Sequence, residues 1–174
     1  MMATGMSLLA LVILGLRPVH AQPTQPQPSS TNFTWVSVSA DADRYSSADR
    51  VSYDGRYMAY DSTMSLLVPG DTNNASDVFV KDVQNGTTER ASVNSDGSQM
   101  NGESVARSIS SDGRYVLFNH RNAGGHLETY VRDLTDQTTV EASTNDLGQE
   151  ANQDIPDTTS ISDDGRYVVF WTNA

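Results

Sequence analysis

Apolar residues along this chain come in short clusters, and polar stretches rich in Asp, Gly, Asn and Ser separate them. Beyond the amino-terminal apolar run, no stretch sustains the 3.6-residue period of an amphipathic helix. The clusters predict strands instead. One strand ends near Val51, Ile109 or Ile161, and an Asp-Gly turn follows, where glycine supplies a positive φ without steric cost. The next run, Tyr115 to Phe118 for instance, is apolar on both alternating faces, as in a strand covered on both sides. A third strand is expected at Val78–Val80 and Thr129–Val131. After a turn (Gln84 to Thr87, Thr135 to Thr138), a fourth runs through Thr88–Val93 and Thr139–Thr144.

These clusters belong to an internal repeat. Val51-Ser-Tyr-Asp-Gly-Arg-Tyr-Met-Ala-Tyr60, Ile109-Ser-Ser-Asp-Gly-Arg-Tyr-Val-Leu-Phe118 and Ile161-Ser-Asp-Asp-Gly-Arg-Tyr-Val-Val-Phe170 align without gaps, 58 and 52 residues apart. Asp77-Val-Phe-Val-Lys-Asp82 matches Glu128-Thr-Tyr-Val-Arg-Asp133, and Ala91-Ser-Val93 matches Ala142-Ser-Thr144, with Val36-Ser-Val38 as an earlier copy. Four short strands per repeat of roughly 50 residues is the signature of propeller blades. The expected fold is therefore all-β, an incomplete β-propeller of about three four-stranded antiparallel blades.

The Ser-x-Asp-Gly-Arg-Tyr-Val-x-Phe pattern, followed by Asp-Val-Phe-Val-Lys-Asp and a turn, resembles the TolB-like (WD-repeat-like) β-propeller family of exported bacterial proteins. The resemblance runs from Thr34 to Ala174, and it departs from the family pattern where Tyr53, Ser111 and Asp163 replace a proline before Asp-Gly. It implies a propeller architecture, and the shared residues are structural. In some peptidases such propellers precede a hydrolase domain. Propellers generally need about 4–8 blades. Either the chain is a truncated piece of a longer propeller, or copies self-associate to close the ring.

The amino terminus carries an address. Ser7 to Leu16 is apolar but shorter than the roughly 20 residues of a bilayer span. Val19-His20-Ala21 then offers a small-x-small cleavage site, so residues 1–21 read as a secretory signal peptide, although the only early positive charge, Arg17, follows the apolar run. Residues 22–33, rich in Pro, Gln and Ser, read as a disordered linker, and residues 34–174 as the repeats. No membrane span is expected after cleavage.

Composition narrows the partners. The 174 residues carry a formal net charge of −11, which argues against nucleic acid or an anionic membrane surface. There is no cysteine, which in an exported protein points to a bacterial periplasmic or extracellular setting. Seventeen of the 22 acidic residues are Asp, which favours turns, so the acidity lies in loops.

Three groups of residues are candidate sites. Asp71, Asn73 and Asp77 lie in the loop between the second and third strands of the first unit. They present oxygens at spacings that suit calcium, or they serve Asx-turns within the loop. His120 and His126, with Glu128, are either transition-metal ligands or surface residues of a polar loop. Gly102-Glu-Ser104-Val-Ala106 is a partial nucleophile elbow without its final glycine, and Ser104, His120 and a nearby Asp would make a triad. Arg56, Arg114 and Arg166 recur on equivalent turns and are expected to solvate them or to pair with local carboxylates. No catalytic residue and no certain cofactor is assigned, calcium being the one candidate. The function expected is a non-catalytic scaffold for a protein or small ligand. The alternative is part of a propeller-containing hydrolase or lyase whose catalytic residues lie elsewhere.

Overall fold

The computed structural model describes residues 46–144 and 159–170, all within a compact unit spanning 38–174. A second unit, 1–37, lies outside the described residues, and with it the expected signal peptide and linker.

Two four-stranded antiparallel meanders follow one another. The first orders β1 (Ser46–Val51), β2 (Tyr57–Ser62), β3 (Asp77–Asp82) and β4 (Thr87–Arg90) side by side. The second repeats the arrangement with β5 (Ser104–Ile109), β6 (Tyr115–Arg121), β7 (Leu127–Asp133) and β8 (Thr138–Glu141). A third sheet contains β9 (Thr159–Ile161) and β10 (Val168–Phe170). Even the irregularities repeat: β1 bulges between Ala48 and Arg50, β5 between Ala106 and Ser108, where an extra residue increases the strand's twist. The described residues contain no helix.

The expected fourth strands prove shorter than the sequence suggests. β4 ends at Arg90 and β8 at Glu141, and the chain then leaves the ladder: the Ala91 and Ala142 amides still bond back to the Val78 and Thr129 carbonyls. Ser92 and Ser143 stop the strands, because their hydroxyls accept the Val78 and Thr129 amides in place of a backbone carbonyl.

The five residues shared by all three copies build one turn. Ser52 Oγ donates to Asp54 (2.7 Å) and accepts the Tyr57 amide (2.9 Å), while Asp54 accepts the Arg56 amide (3.0 Å). Ser110, Asp112, Arg114 and Tyr115 make the same three bonds, as do Ser162, Asp164, Arg166 and Tyr167. Gly55, Gly113 and Gly165 hold φ between 71° and 76°, the left-handed conformation the Asp-Gly step requires. Ser, Asp and Gly thus recur because the turn consumes each of them locally.

The main core lies between the first and second sheets. Ala59, Val78 and Val80 of the first pack against Ala106, Ile109, Val116 and Phe118 of the second. A smaller cluster of Met58, Tyr60 and Phe79 occupies the other face of the first sheet, with the Tyr60 and Phe79 rings stacked at 5.8 Å. Both faces of β2 and β6 are covered, which explains their continuous apolar runs.

Candidate functional site

Two features combine chemistry with placement: the joint between blades, and a buried polar cluster at the end of the sheets opposite the Asp-Gly turns.

The joint is built by the arginine and tyrosine of the repeat. Arg56 pairs with Asp82 at 2.8 Å and lies over the Tyr57 ring, 4.8 Å from its centre. Arg114 pairs with Asp133 at 2.6 Å and lies over Tyr115 at 4.9 Å. Each aspartate also accepts two amides of the turn that follows it, so one carboxylate ties an arginine to the next hairpin. The arginine bonds, chiefly, hold both Asp82 and Asp133 at a pKa of about 2, against the burial that would raise it. Held this way, each tyrosine packs against the glycine of the following blade. A Cβ on Gly113 would collide with Tyr57, and one on Gly165 with Tyr115. A backbone bond accompanies each contact, from Tyr53 N to Ser111 O and from Ser111 N to Asp163 O, both 3.0 Å. The arginines therefore pair with local carboxylates as expected, whereas the tyrosine–glycine contact has no signature in one blade alone.

The second feature gathers the sequence candidates. Asp71 and Asp77 converge, but on a cation the chain itself supplies. The Arg90 guanidinium lies 3.3 Å from Asp77 and 3.7 Å from Asp71, and Gln99 Nε2 bridges both carboxylates at 2.8 and 3.1 Å. Ser92 Oγ donates to Asp77 at 2.7 Å. Asn73 is directed elsewhere: its amide donates to the Met100 carbonyl and its oxygen accepts the Ala75 amide, an Asx-turn bond within the loop. Asp71 Oδ2 is buried without a hydrogen-bond partner.

Ser104 and His120 are cross-strand partners on β5 and β6, and Ser104 Oγ lies 3.0 Å from His120 Nδ1. His120 is thus a buried strand residue, not part of the polar loop expected from the sequence, because β6 continues to Arg121 before the hairpin turns. Burial, above all, lowers its pKa; Glu128, Asp77 and a bond to the Asn101 backbone oppose the shift. The ring thus shares one hydrogen bond with the Ser104 hydroxyl and another with the Asn101 backbone. Gly102 lets the chain pass close to the end of β6, since a Cβ there would collide with the Arg121 carbonyl and crowd the His120 ring. Glu128 bonds Asn122 and the Tyr130 hydroxyl (2.8 Å). Among the described residues, His120, His126 and Glu128 do not form a metal-binding group. The serine–histidine contact has the donor–acceptor geometry of a nucleophile–base pair, but the Ser104 hydroxyl is sealed from solvent.

No protein-family model matches this chain, and no curated protein matches it. Its structure is similar to that of TolB from Acinetobacter baumannii (17% identity, TM-score 0.46, covering 70% of this chain and 25% of that one). It is also similar to a putative TolB from Agrobacterium tumefaciens (18%, 0.49, 72% and 38%). A third likeness is to the β-propeller domain of the Trilobed protease from Pyrococcus furiosus, which has an open velcro topology (18%, 0.48, 73% and 34%). The chain spans 25–38% of the length of these structures. The two successive four-stranded antiparallel meanders by themselves make the described part of the chain all-β, with the strand order of propeller blades that the repeat predicts.

Proposed function

We propose that this chain is an exported propeller segment that acts as a non-catalytic scaffold for a protein or small ligand in the periplasm or outside the cell. One observation carries the scaffold reading: the side chains with reactive potential are spent on holding the blades. Ser104 and His120 satisfy each other in a sealed strand pair, and Asp71 and Asp77 share Arg90 and Gln99. Export rests on the sequence, on the apolar run from Ser7 to Leu16 and the site ending at Ala21.

The test is made in a bacterial host with the chain expressed from its own start. The mature protein is expected in the periplasm or the medium with Gln22 as its first residue. Cross-linking there should recover a partner bound equally well by wild type and by the Ser104→Ala variant. Retention in the cytoplasm with Met1 intact overturns export. Hydrolysis of ester, peptide or glycoside probes that disappears in Ser104→Ala overturns the non-catalytic reading. In the alternative reading, a hydrolase or lyase with its catalytic residues elsewhere, turnover appears only when a further domain is joined to these blades.

A further inference from the structure

The step Asn-Gly occurs twice in this chain, at Asn85-Gly86 and at Asn101-Gly102, and the fold treats the two differently. An asparagine before glycine carries its own chemistry. The glycine amide nitrogen, unhindered for want of a Cβ beside it, attacks the asparagine Cγ. The N–Cγ bond forms, the Cγ–Nδ2 bond breaks, and the amide proton leaves with the ammonia. Water then opens the resulting cyclic imide at either carbonyl, giving aspartate or isoaspartate.

Asn85-Gly86 lies in the turn between β3 and β4, where Asp82 immobilises both reacting groups. Its Oδ2 accepts Asn85 Nδ2 at 2.8 Å, its Oδ1 accepts the Asn85 amide at 3.1 Å, and its backbone carbonyl accepts the Gly86 amide at 2.8 Å. Leaving group and nucleophile are therefore both tied down. Asn101-Gly102 lies in the connector from β4 to β5, which carries the chain from the first blade into the second. Asn101 is exposed, and among the described residues neither its side chain nor the Gly102 amide has a hydrogen-bond partner. The flanking backbone is nonetheless fixed to the second blade. The Asn101 backbone bonds the His120 ring, and Gly102, at a φ of 123°, passes against the Arg121 carbonyl.

We propose that Asn101-Gly102 is a site of spontaneous covalent modification, converting to aspartate and isoaspartate in the folded protein, while the β3–β4 turn protects Asn85-Gly86. The inference goes beyond the scaffold reading and does not depend on it. In the isoaspartate product the chain runs through Cβ and Cγ, which lengthens the backbone, and the former Asn101 carbonyl becomes a free carboxylate beside His120. Both changes fall where the connector is held most closely, so the modified chain is the less stable one.

The test incubates the full folded chain at neutral pH and digests samples with trypsin. Cleavage after Lys81, Arg90 and Arg107 places the two sites on separate peptides, and mass spectrometry reads the conversion of amide to acid in each. Conversion at Asn101 is expected at least ~10-fold faster than at Asn85, because only Asn85-Gly86 must first break hydrogen bonds. In urea the two rates should converge. Aged wild type is expected to melt below fresh protein. Asn101→Gln, whose longer side chain closes the imide poorly, should melt unchanged after the same incubation. Equal conversion at the two sites in the folded protein overturns the proposal, and so does conversion at Asn101 in urea alone. Conversion at Asn101 with no change in melting overturns the link to the connector.

Discussion

At the scale of single residues, Arg90 bears the greatest consequence. It is nearly buried, and it balances two carboxylates, Asp71 and Asp77, whose side chains are almost wholly shielded from water. Replacing it with alanine leaves those charges uncompensated, and a loss of about 3–5 kcal/mol is expected in urea unfolding. The calcium expectation for Asp71, Asn73 and Asp77 becomes a competition at the same point. An ion bound there has to displace a guanidinium already held by both aspartates. Wild type is therefore expected to melt at the same temperature with and without millimolar calcium, whereas Arg90→Ala should regain stability when calcium is added. A calcium-induced rise in wild type as large as that in the variant would contradict this account. Asp82 and Asp133 govern the acid response. Their pKa values, about 2, lie below the ordinary 3.8, so their contribution to stability is complete above that value and is lost as pH falls towards about 2. Thermal melts of Asp82→Asn/Asp133→Asn should depend less steeply on pH than wild type between about 4 and 2. Glu89, which burial shifts upward, is common to both proteins and cancels in the comparison.

At the scale of the element, the Asp-Gly turn serves both a hairpin and a joint, and the three copies separate the two roles. Gly55→Ala incurs only the strain of a positive φ, about 1–2 kcal/mol. Gly113→Ala incurs that strain and also drives a methyl group into the Tyr57 ring, for about 2–5 kcal/mol in all. Chemical denaturation of the two variants should reveal the gap, and Tyr57→Ala should narrow it, since the two residues interact directly. Equal losses at Gly55 and Gly113 would mean that the ring does not rest on the glycine. How much of this the sequence discloses follows from the distances over which each group acts. Ser52, Asp54 and Tyr57 bond within five residues of one another, so three copies of the motif reveal the turn. The Arg56–Asp82 pair is legible because both partners recur within matching motifs of the second unit, although 26 residues separate them in the first and 19 in the second. Arg90 escapes notice because its partners are 13 and 19 residues away and its equivalent in the second unit is Glu141. His120 is misplaced for a related reason: Asn119, His120 and Arg121 are polar and resemble loop, while the burial of Asn119 and His120 comes from cross-strand neighbours the local pattern cannot contain.

At the scale of the whole molecule, stability is distributed as in any stacked array, where each blade is held by its own sheet and by the neighbours it touches. The second blade has neighbours on both faces. Val116, Leu117 and Phe118 on β6 are all completely buried, and Phe118 also stacks on Tyr130 at 5.7 Å. Truncating Phe118 to alanine removes contacts on both sides of that joint, and a loss of about 3–5 kcal/mol is expected. The third sheet, as described, has two short strands, and its Val169 side chain is exposed. Opening β10 from β9 therefore uncovers little apolar surface, whereas opening β6 dismantles the main core. Native-state hydrogen exchange should accordingly grade along the chain: amides of β6 and β7 exchange only through global unfolding, and those of β9 and β10 through a local opening of far lower free energy. Uniform protection from β2 to β10 in dilute solution would contradict this gradient.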